Sequence, residues 1–356
     1  MNSEFINGRG AQHNSQNRFL QHSSEVLDDF LNYCEAENEK SDNNKTSYLE
    51  IYPKTILNKV NSPDIGFNYS MNPYQGCEHG CIYCYARNTH EYWGYSAGLD
   101  FERKILYKAN AAALLEQKLR SKSWIPERIM FSGNTDCYQP IEQKLNITRE
   151  MLKVLLKLKH PVGMITKNAL VLRDLDILKE MASLNLVNVS ISITSLSEQT
   201  RRTLEPRTAS IKKRLFTVEK LAKNGIPVNV MMAPIIPAIN NHEILPLVKK
   251  VSELGASSVG YTIVRLNGAV GEIFTKWVQK TYPDRANKIL NQIKDCHGGT
   301  LNDSRFGTRM RGEGKFVEQV AMQFKLAKKL YLKNKNLPKL DYTLFDKQQT
   351  NQMKLF

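Results

Sequence analysis

Residues 72–87 read NPYQGCEHGCIYCYAR and place three of the chain's six cysteines at Cys77, Cys81 and Cys84. Thiols spaced C-x3-C-x2-C in a chain of 356 residues read as metal-binding or catalytic groups, not as a disulfide framework. Three thiolates do not close a tetrahedral zinc site, so zinc would need His79, His90 or Cys137 as a fourth ligand. A redox dithiol of Cys81 and Cys84 would leave Cys77 without a role. A four-iron, four-sulfur cluster takes thiolate ligands and, held by only three, keeps one iron open to an exchangeable ligand. The spacing favours the cluster and leaves the other two chemistries open. Gly80 supplies a backbone geometry that other residues resist.

Working outward, strand-like apolar runs at 128–133, 162–167, 187–193, 226–234 and 258–265 alternate with segments of helical period. A further strand near 65–71 leads straight into the cysteines, and helices are expected at 108–120, 146–159, 172–184, 209–223 and 242–254. Asn146 with Thr148-Arg149-Glu150 marks a helix start and Asn224-Gly225 a helix stop. About six strand–helix units predict an α/β fold with a parallel sheet, closed as an open doubly wound sheet or as a partial or full barrel. Chemistry in such folds collects at the C-terminal strand ends. The polar residues sit there: Ser132-Gly133-Asn134-Thr135-Asp136, Thr166-Lys167-Asn168, Ser192 and Thr194. Beyond 270 come two helical stretches, Gly298-Gly299, an Arg/Gly segment at 303–316 and an amphipathic helix near 316–333.

The composition permits a large core: 41% of residues are hydrophobic and 24% are charged. No run of 18 apolar residues occurs, so no membrane span is expected. The first residues lack a secretory h-region, which makes the cytoplasm the expected location. The formal charge is +15, and residues from 300 onward carry 12 Lys and Arg against 5 Asp and Glu. Such a basic face suits a polyanion such as nucleic acid, although a lysine-rich solvated surface is the plainer reading. Residues 1–50, rich in Asn, Ser, Gln and Glu, are expected to be a mostly flexible segment with one short apolar patch at Val26, Leu27, Phe30 and Leu31. Cys34 and Cys296 read as ordinary thiols.

The cysteine loop, following the first strand of a β/α array with Tyr83 before its third cysteine, resembles the radical S-adenosylmethionine superfamily. Further matches are Asn134-Thr135-Asp136 with Tyr138–Glu142, Thr166-Lys167, SITS at 192–195, Glu205-Pro206 and Ala233-Pro234. Over 64–265 these are most similar to spore photoproduct lyase and its DNA repair photolyase-like relatives. The flanks at 7–11 and 303–314 look like those relatives rather than the lyase itself. The resemblance implies a partial (β/α)6 TIM-like barrel over 51–266, followed by a helical extension over 267–356. It implies a [4Fe-4S] cluster on Cys77, Cys81 and Cys84 whose open iron binds S-adenosylmethionine. One-electron reduction, from a donor such as flavodoxin or ferredoxin, then releases a 5′-deoxyadenosyl radical that abstracts hydrogen from a substrate.

Carried over by matching motif, Tyr83 would lie beside adenine, and Ser132, Gly133 and Asn134 would meet the methionine amino group. Lys167 would pair with its carboxylate, Ser192 with the ribose, and Ala233 with adenine through its backbone. The lyase returns a hydrogen atom from a cysteine preceding its Thr-Ser-Asp turn. Cys137 follows the corresponding turn, so it is weighed as a hydrogen donor against a buried packing residue. Glu205, Arg207, Arg305, Arg309 and Arg311 are candidate substrate contacts, set against ion pairing or solvation on loops. The leading substrate class is a nucleic-acid base, in DNA repair or RNA modification. A peptide or small metabolite suits the same chemistry, and a non-enzymatic zinc or Fe–S nucleic-acid-binding module is the rival reading.

Overall fold

The structure, a computed structural model, describes residues 6–19 and 45–348. A small sheet joins β1 (Ser47–Glu50), β4 (Tyr74–Gln75) and β5 (Lys104–Tyr107). A larger one contains β2 (Leu57–Lys59), β3 (Tyr69–Met71), β6 (Ile129–Phe131), β7 (Val162–Thr166), β8 (Val187–Ser192), β9 (Val228–Ile235) and β10 (Ser258–Ile263). Its order is β10-β9-β8-β7-β6-β3-β2, parallel throughout except for β2, which returns antiparallel to β3. The two edge strands do not pair, so six parallel strands make a partial barrel.

The strands explain why the barrel is hollow. In β8, Val187, Val189 and Ile191 enter the hydrophobic core, whereas Asn188, Ser190 and Ser192 line a central cavity. In β9, Val228, Val230 and Met232 alternate in the same way with Asn229, Met231 and Ala233. Parallel strands buried on both faces ordinarily read as continuous apolar runs; here period-two alternation sends polar side chains inward. The outward valines are covered by helices α1 (Ala111–Arg120), α2 (Ile147–Lys157), α3 (Leu175–Ser183), α4 (Ile211–Lys223) and α5 (Ile244–Glu253). Beyond the barrel lie α6 (Ala269–Thr281), α7 (Ala286–Asp295) and α8 (Lys315–Tyr331), with α8 packed on α5.

Two segments close the open barrel. Along the seam, the amide of Ile263 in β10 donates to the carbonyl of Met310 at 3.3 Å, and Arg309 reaches across to Asp64 at 2.6 Å. Beneath the strands, the amide of Asp341 donates to the Asn185 carbonyl at 2.9 Å and that of Asp346 to the Leu158 carbonyl at 3.0 Å. The tail thus floors the lumen, with Leu337 on the cavity wall.

Two details sharpen the sequence reading. The segment expected to be mostly flexible includes residues that pack firmly: Arg9, Ala11, Ser15 and Asn17 are buried. The apolar patch at Val26–Leu31, and Cys34 with it, lies outside the described residues. Asn146 does begin α2, but its φ is +55° and it makes no side-chain cap; its carbonyl accepts the Glu150 amide at 3.1 Å. Asparagine is chosen there for its tolerance of the left-handed region. Among the described residues no helix is long and apolar enough to cross a membrane.

Candidate active site

The cysteine loop hangs over the C-terminal strand ends, and Cys77, Cys81 and Cys84 all line one cavity of about 530 Å³. Burial pushes all three thiols up, with Asp136 adding to it at Cys77 and Glu205 at Cys81. Buried thiols of this kind ionise when a cationic group binds them. Among the described residues, no three His, Cys, Asp or Glu side chains converge on one point to hold a single ion. That arrangement fits a polynuclear iron–sulfur cluster better than a tetrahedral zinc.

The loop is held from behind by the N-terminal segment. Glu102 and Arg87 form a fully buried ion pair at 2.6 Å. The Glu102 carboxylate also accepts the amides of Gly10 at 3.1 Å and Ala11 at 2.8 Å, while Arg9 donates to the Glu102 carbonyl at 2.8 Å. Arg87 in turn donates to the carbonyl of Cys81 at 3.0 Å. A buried carboxylate with its lone pairs this fully occupied is a stable anchor. Gly80 has φ +66°, and a Cβ there would fall 2.8 Å from the Glu102 carboxylate.

Opposite the cysteines, Glu205 organises the ends of β7 and β8. It accepts from Tyr83, from Thr194 at 2.5 Å and from Arg214 at 2.6 Å, with Lys167 at 3.8 Å. Burial alone would push the Glu205 carboxyl up, but Arg214, Lys167, Thr194 and Tyr83 outweigh it and hold it at about 2. Lys167 donates to the Ser192 hydroxyl at 2.7 Å, and its ammonium stands 5.9 Å from the Tyr83 ring centroid. Asp136 ties the β6 and β7 ends to the cysteine loop. It accepts the Lys167 amide and the Thr166 hydroxyl, each at 2.8 Å, and lies 3.3 Å from His79. Burial opposes ionisation of Asp136, but His79 and the amides of Lys167 and Tyr138 outweigh it and lower its pKa.

The structure brings Tyr83, Ser132, Gly133, Asn134, Lys167, Ser192 and Ala233 to the same cavity as the cysteines. Within the strand-end turn after β6, Asn134 is fixed by its amide to Asn72 at 2.9 Å. The Gly133 carbonyl already accepts the Tyr85 hydroxyl at 2.5 Å.

Other candidates are placed elsewhere. Cys137 is fully buried in the core and does not line the cavity; its amide donates to Ser132 at 2.8 Å and its carbonyl accepts Thr148 at 2.7 Å. That burial favours the packing alternative for Cys137 over the hydrogen donor. Glu205 and Arg207 do not pair with each other, since Arg207 meets the buried Glu78 at 3.3 Å. Arg305 is taken by Asp303 at 2.8 Å and Glu313 at 3.0 Å, and Arg309 by Asp64. Neither lines the cavity, and Arg311 is exposed without lining it either. Arg265, two residues beyond β10, lines the cavity and was a strand-end polar position in plain view.

Residues 71–251 match the family described as the Radical SAM superfamily. An uncharacterised protein of Mycobacterium tuberculosis is 31% identical over 245 residues, covering 68% of this chain and 72% of its own length. One of Methanocaldococcus jannaschii is 28% identical over 250 residues, covering 70% and 89%. Spore photoproduct lyase with bound AdoMet and dinucleoside spore photoproduct has a similar fold, with a TM-score of 0.58 at 16% identity and 81% of each chain covered. A cavity walled by three thiols, at the C-terminal ends of six parallel strands in a matching chain, makes this protein a member of the radical S-adenosylmethionine superfamily, an enzyme whose cofactors are a [4Fe-4S] cluster and S-adenosylmethionine.

Proposed function

We propose that the enzyme generates a 5′-deoxyadenosyl radical to abstract hydrogen from a nucleic-acid base. The observation carrying this reading is that the three thiols with Tyr83, Lys167 and Ser192, backed by the buried Glu205, face one cavity of about 530 Å³. That volume lies within the roughly 300–1,000 Å³ of small-molecule sites. The cluster, when bound by Cys77, Cys81 and Cys84, supplies the electron that cleaves S-adenosylmethionine. The protein's part is orientation. The Lys167 ammonium, held by Ser192 and Glu205, is placed to receive the methionine carboxylate. The Ser192 hydroxyl can turn to the ribose, Tyr83 forms the wall beside adenine, and Ala233 offers its backbone. A cis peptide bond joins Ala233 to Pro234. The seam and floor segments shield the reacting volume from water. An external one-electron donor such as flavodoxin or ferredoxin completes the reaction. The charge of +15 supports a polyanionic substrate.

Anaerobic reconstitution with iron and sulfide, followed by dithionite and S-adenosylmethionine, tests the chemistry. A brown cluster and 5′-deoxyadenosine are expected; neither forming would overturn it. Base-deuterated oligonucleotides test the substrate: deuterium should appear in 5′-deoxyadenosine. Transfer from a deuterated peptide or metabolite mixture instead would overturn the nucleic-acid reading.

A further inference from the structure

The cavity's cations are not equally occupied. Lys167 is engaged by Glu205 and Ser192, and His79 by Asp136. Arg265 lines the same cavity and is partly buried, yet it makes no hydrogen bond and no ion pair with any described residue. The carboxylate beside it, Asp64, is consumed by Arg309 at 2.6 Å and by the Gly307 amide at 2.7 Å. The carboxylate is therefore spent on Arg309, leaving a surplus positive charge at the seam. Burial and the neighbouring Arg309 lower the Arg265 pKa by more than Tyr85 and Asp64 raise it. Tyr85, directly after the cluster ligand Cys84, also lines the cavity and is half exposed. Ile65 and Phe67 give the cavity an apolar wall beside Asp64.

We propose that Arg265 is the receptor for a substrate phosphate, seating a nucleic-acid backbone at the barrel seam so that an adjoining base enters the cavity beside Tyr85. Guanidinium suits this task because its planar fork pairs bidentately with oxyanions and it stays charged when partly buried. The Asp64–Arg309 pair fixes the loop that walls the site and leaves the Arg265 fork free. The assignment rests on the nucleic-acid reading above, deepening it from substrate class to a contact.

The test is fluorescence anisotropy of a 5′-fluorescein single-stranded DNA oligonucleotide with the full chain across a salt series. Arg265→Gln should weaken binding about 10-fold at low salt, and should reduce the log–log salt slope by about one. Arg265→Lys, which keeps the charge and loses the fork, should fall between. Lys179→Gln, an exposed cation on the barrel's outer helix α3, is the control for charge alone. Far-UV circular dichroism melting verifies that each variant folds. Binding by Arg265→Gln that equals wild type or Lys179→Gln would overturn the proposal. So would competition by an oligoglutamate peptide, but not by unlabelled oligonucleotide, since that would make the receptor one for carboxylates. Formation of 5′-deoxyadenosine by the wild-type preparation is scored separately, so failure of the radical chemistry leaves the Arg265 result readable.

Discussion

A Cβ on Gly10 would fall 1.8 Å from the carbonyl oxygen of Gly80, at the centre of the cysteine loop. Backbone against backbone leaves no flexible side chain to give way. Gly10→Ala should therefore push the loop off its anchor, cost about 1–3 kcal/mol, and lower iron and sulfide content after reconstitution. Gly8→Ala is the matched comparison: Gly8 has φ +72° but open space around it. Its strain should cost about 1 kcal/mol and leave iron content at the wild-type level. Equal iron content in the two variants would show that the N-terminal segment does not hold the loop. Glu205 behaves differently, because its effect is electrostatic. Its carboxyl is held at about 2 against an ordinary 4.5. A depressed carboxyl stabilises the fold above its unfolded pKa, and that stability is lost as pH falls from 4.5 towards 2. Glu205→Gln should thus be less stable than wild type at neutral pH by about 3 kcal/mol, with the gap closing across that window in denaturant unfolding. A gap independent of pH would show that shape, not charge, matters there. The position of Glu205 after β8 was legible in the sequence. Its partners were not, because Arg214 and Lys167 reach it through the fold and neighbouring Arg207 turns to Glu78.

The same limit operates on elements. The six parallel strands were legible because each carries an apolar run followed by polar residues at its C-terminal end. β1, β2, β4 and β5 were not, since they lie outside the repeating strand–helix units and depend on distant partners; β1 and β4 both pair with β5. The alternation inside β8 is itself a measurable claim. Val189→Ser removes a core methyl pair and buries a hydroxyl, at an expected cost of about 2–4 kcal/mol. Ser190→Val, one residue along, faces the lumen and frees only the Asn229 amide that donates to it at 3.1 Å. It should stay within about 1 kcal/mol of wild type. Urea unfolding of the pair reads the difference directly. Equal losses would mean the lumen is packed like a core and cannot admit a substrate.

At the scale of the molecule, the described ends of the chain close opposite ends of one barrel. The N-terminal segment clamps the cysteine loop above the C-terminal strand ends, through Glu102. The C-terminal tail crosses beneath the strands, where Phe345 packs edge-on against the buried His160 at 5.1 Å and the Lys347 carbonyl accepts from the Arg120 guanidinium at 2.6 Å. These attachments do different work. Removing residues 1–17 strips the Glu102 carboxylate of two amide donors and the loop of its backing, while the barrel strands keep every pairing. Removing 341–356 takes away the half-buried Phe345 ring, worth about 1–2 kcal/mol, and unlatches the floor without touching the loop. Iron bound per chain should therefore fall in the first truncation and hold in the second. The melting temperature should fall in the second, with both quantities measured on the same preparations. Parallel losses of iron and stability in both would show that the termini act only through global stability. A split outcome would show that residues outside 71–251, the part matching the superfamily, are what complete its cluster mount.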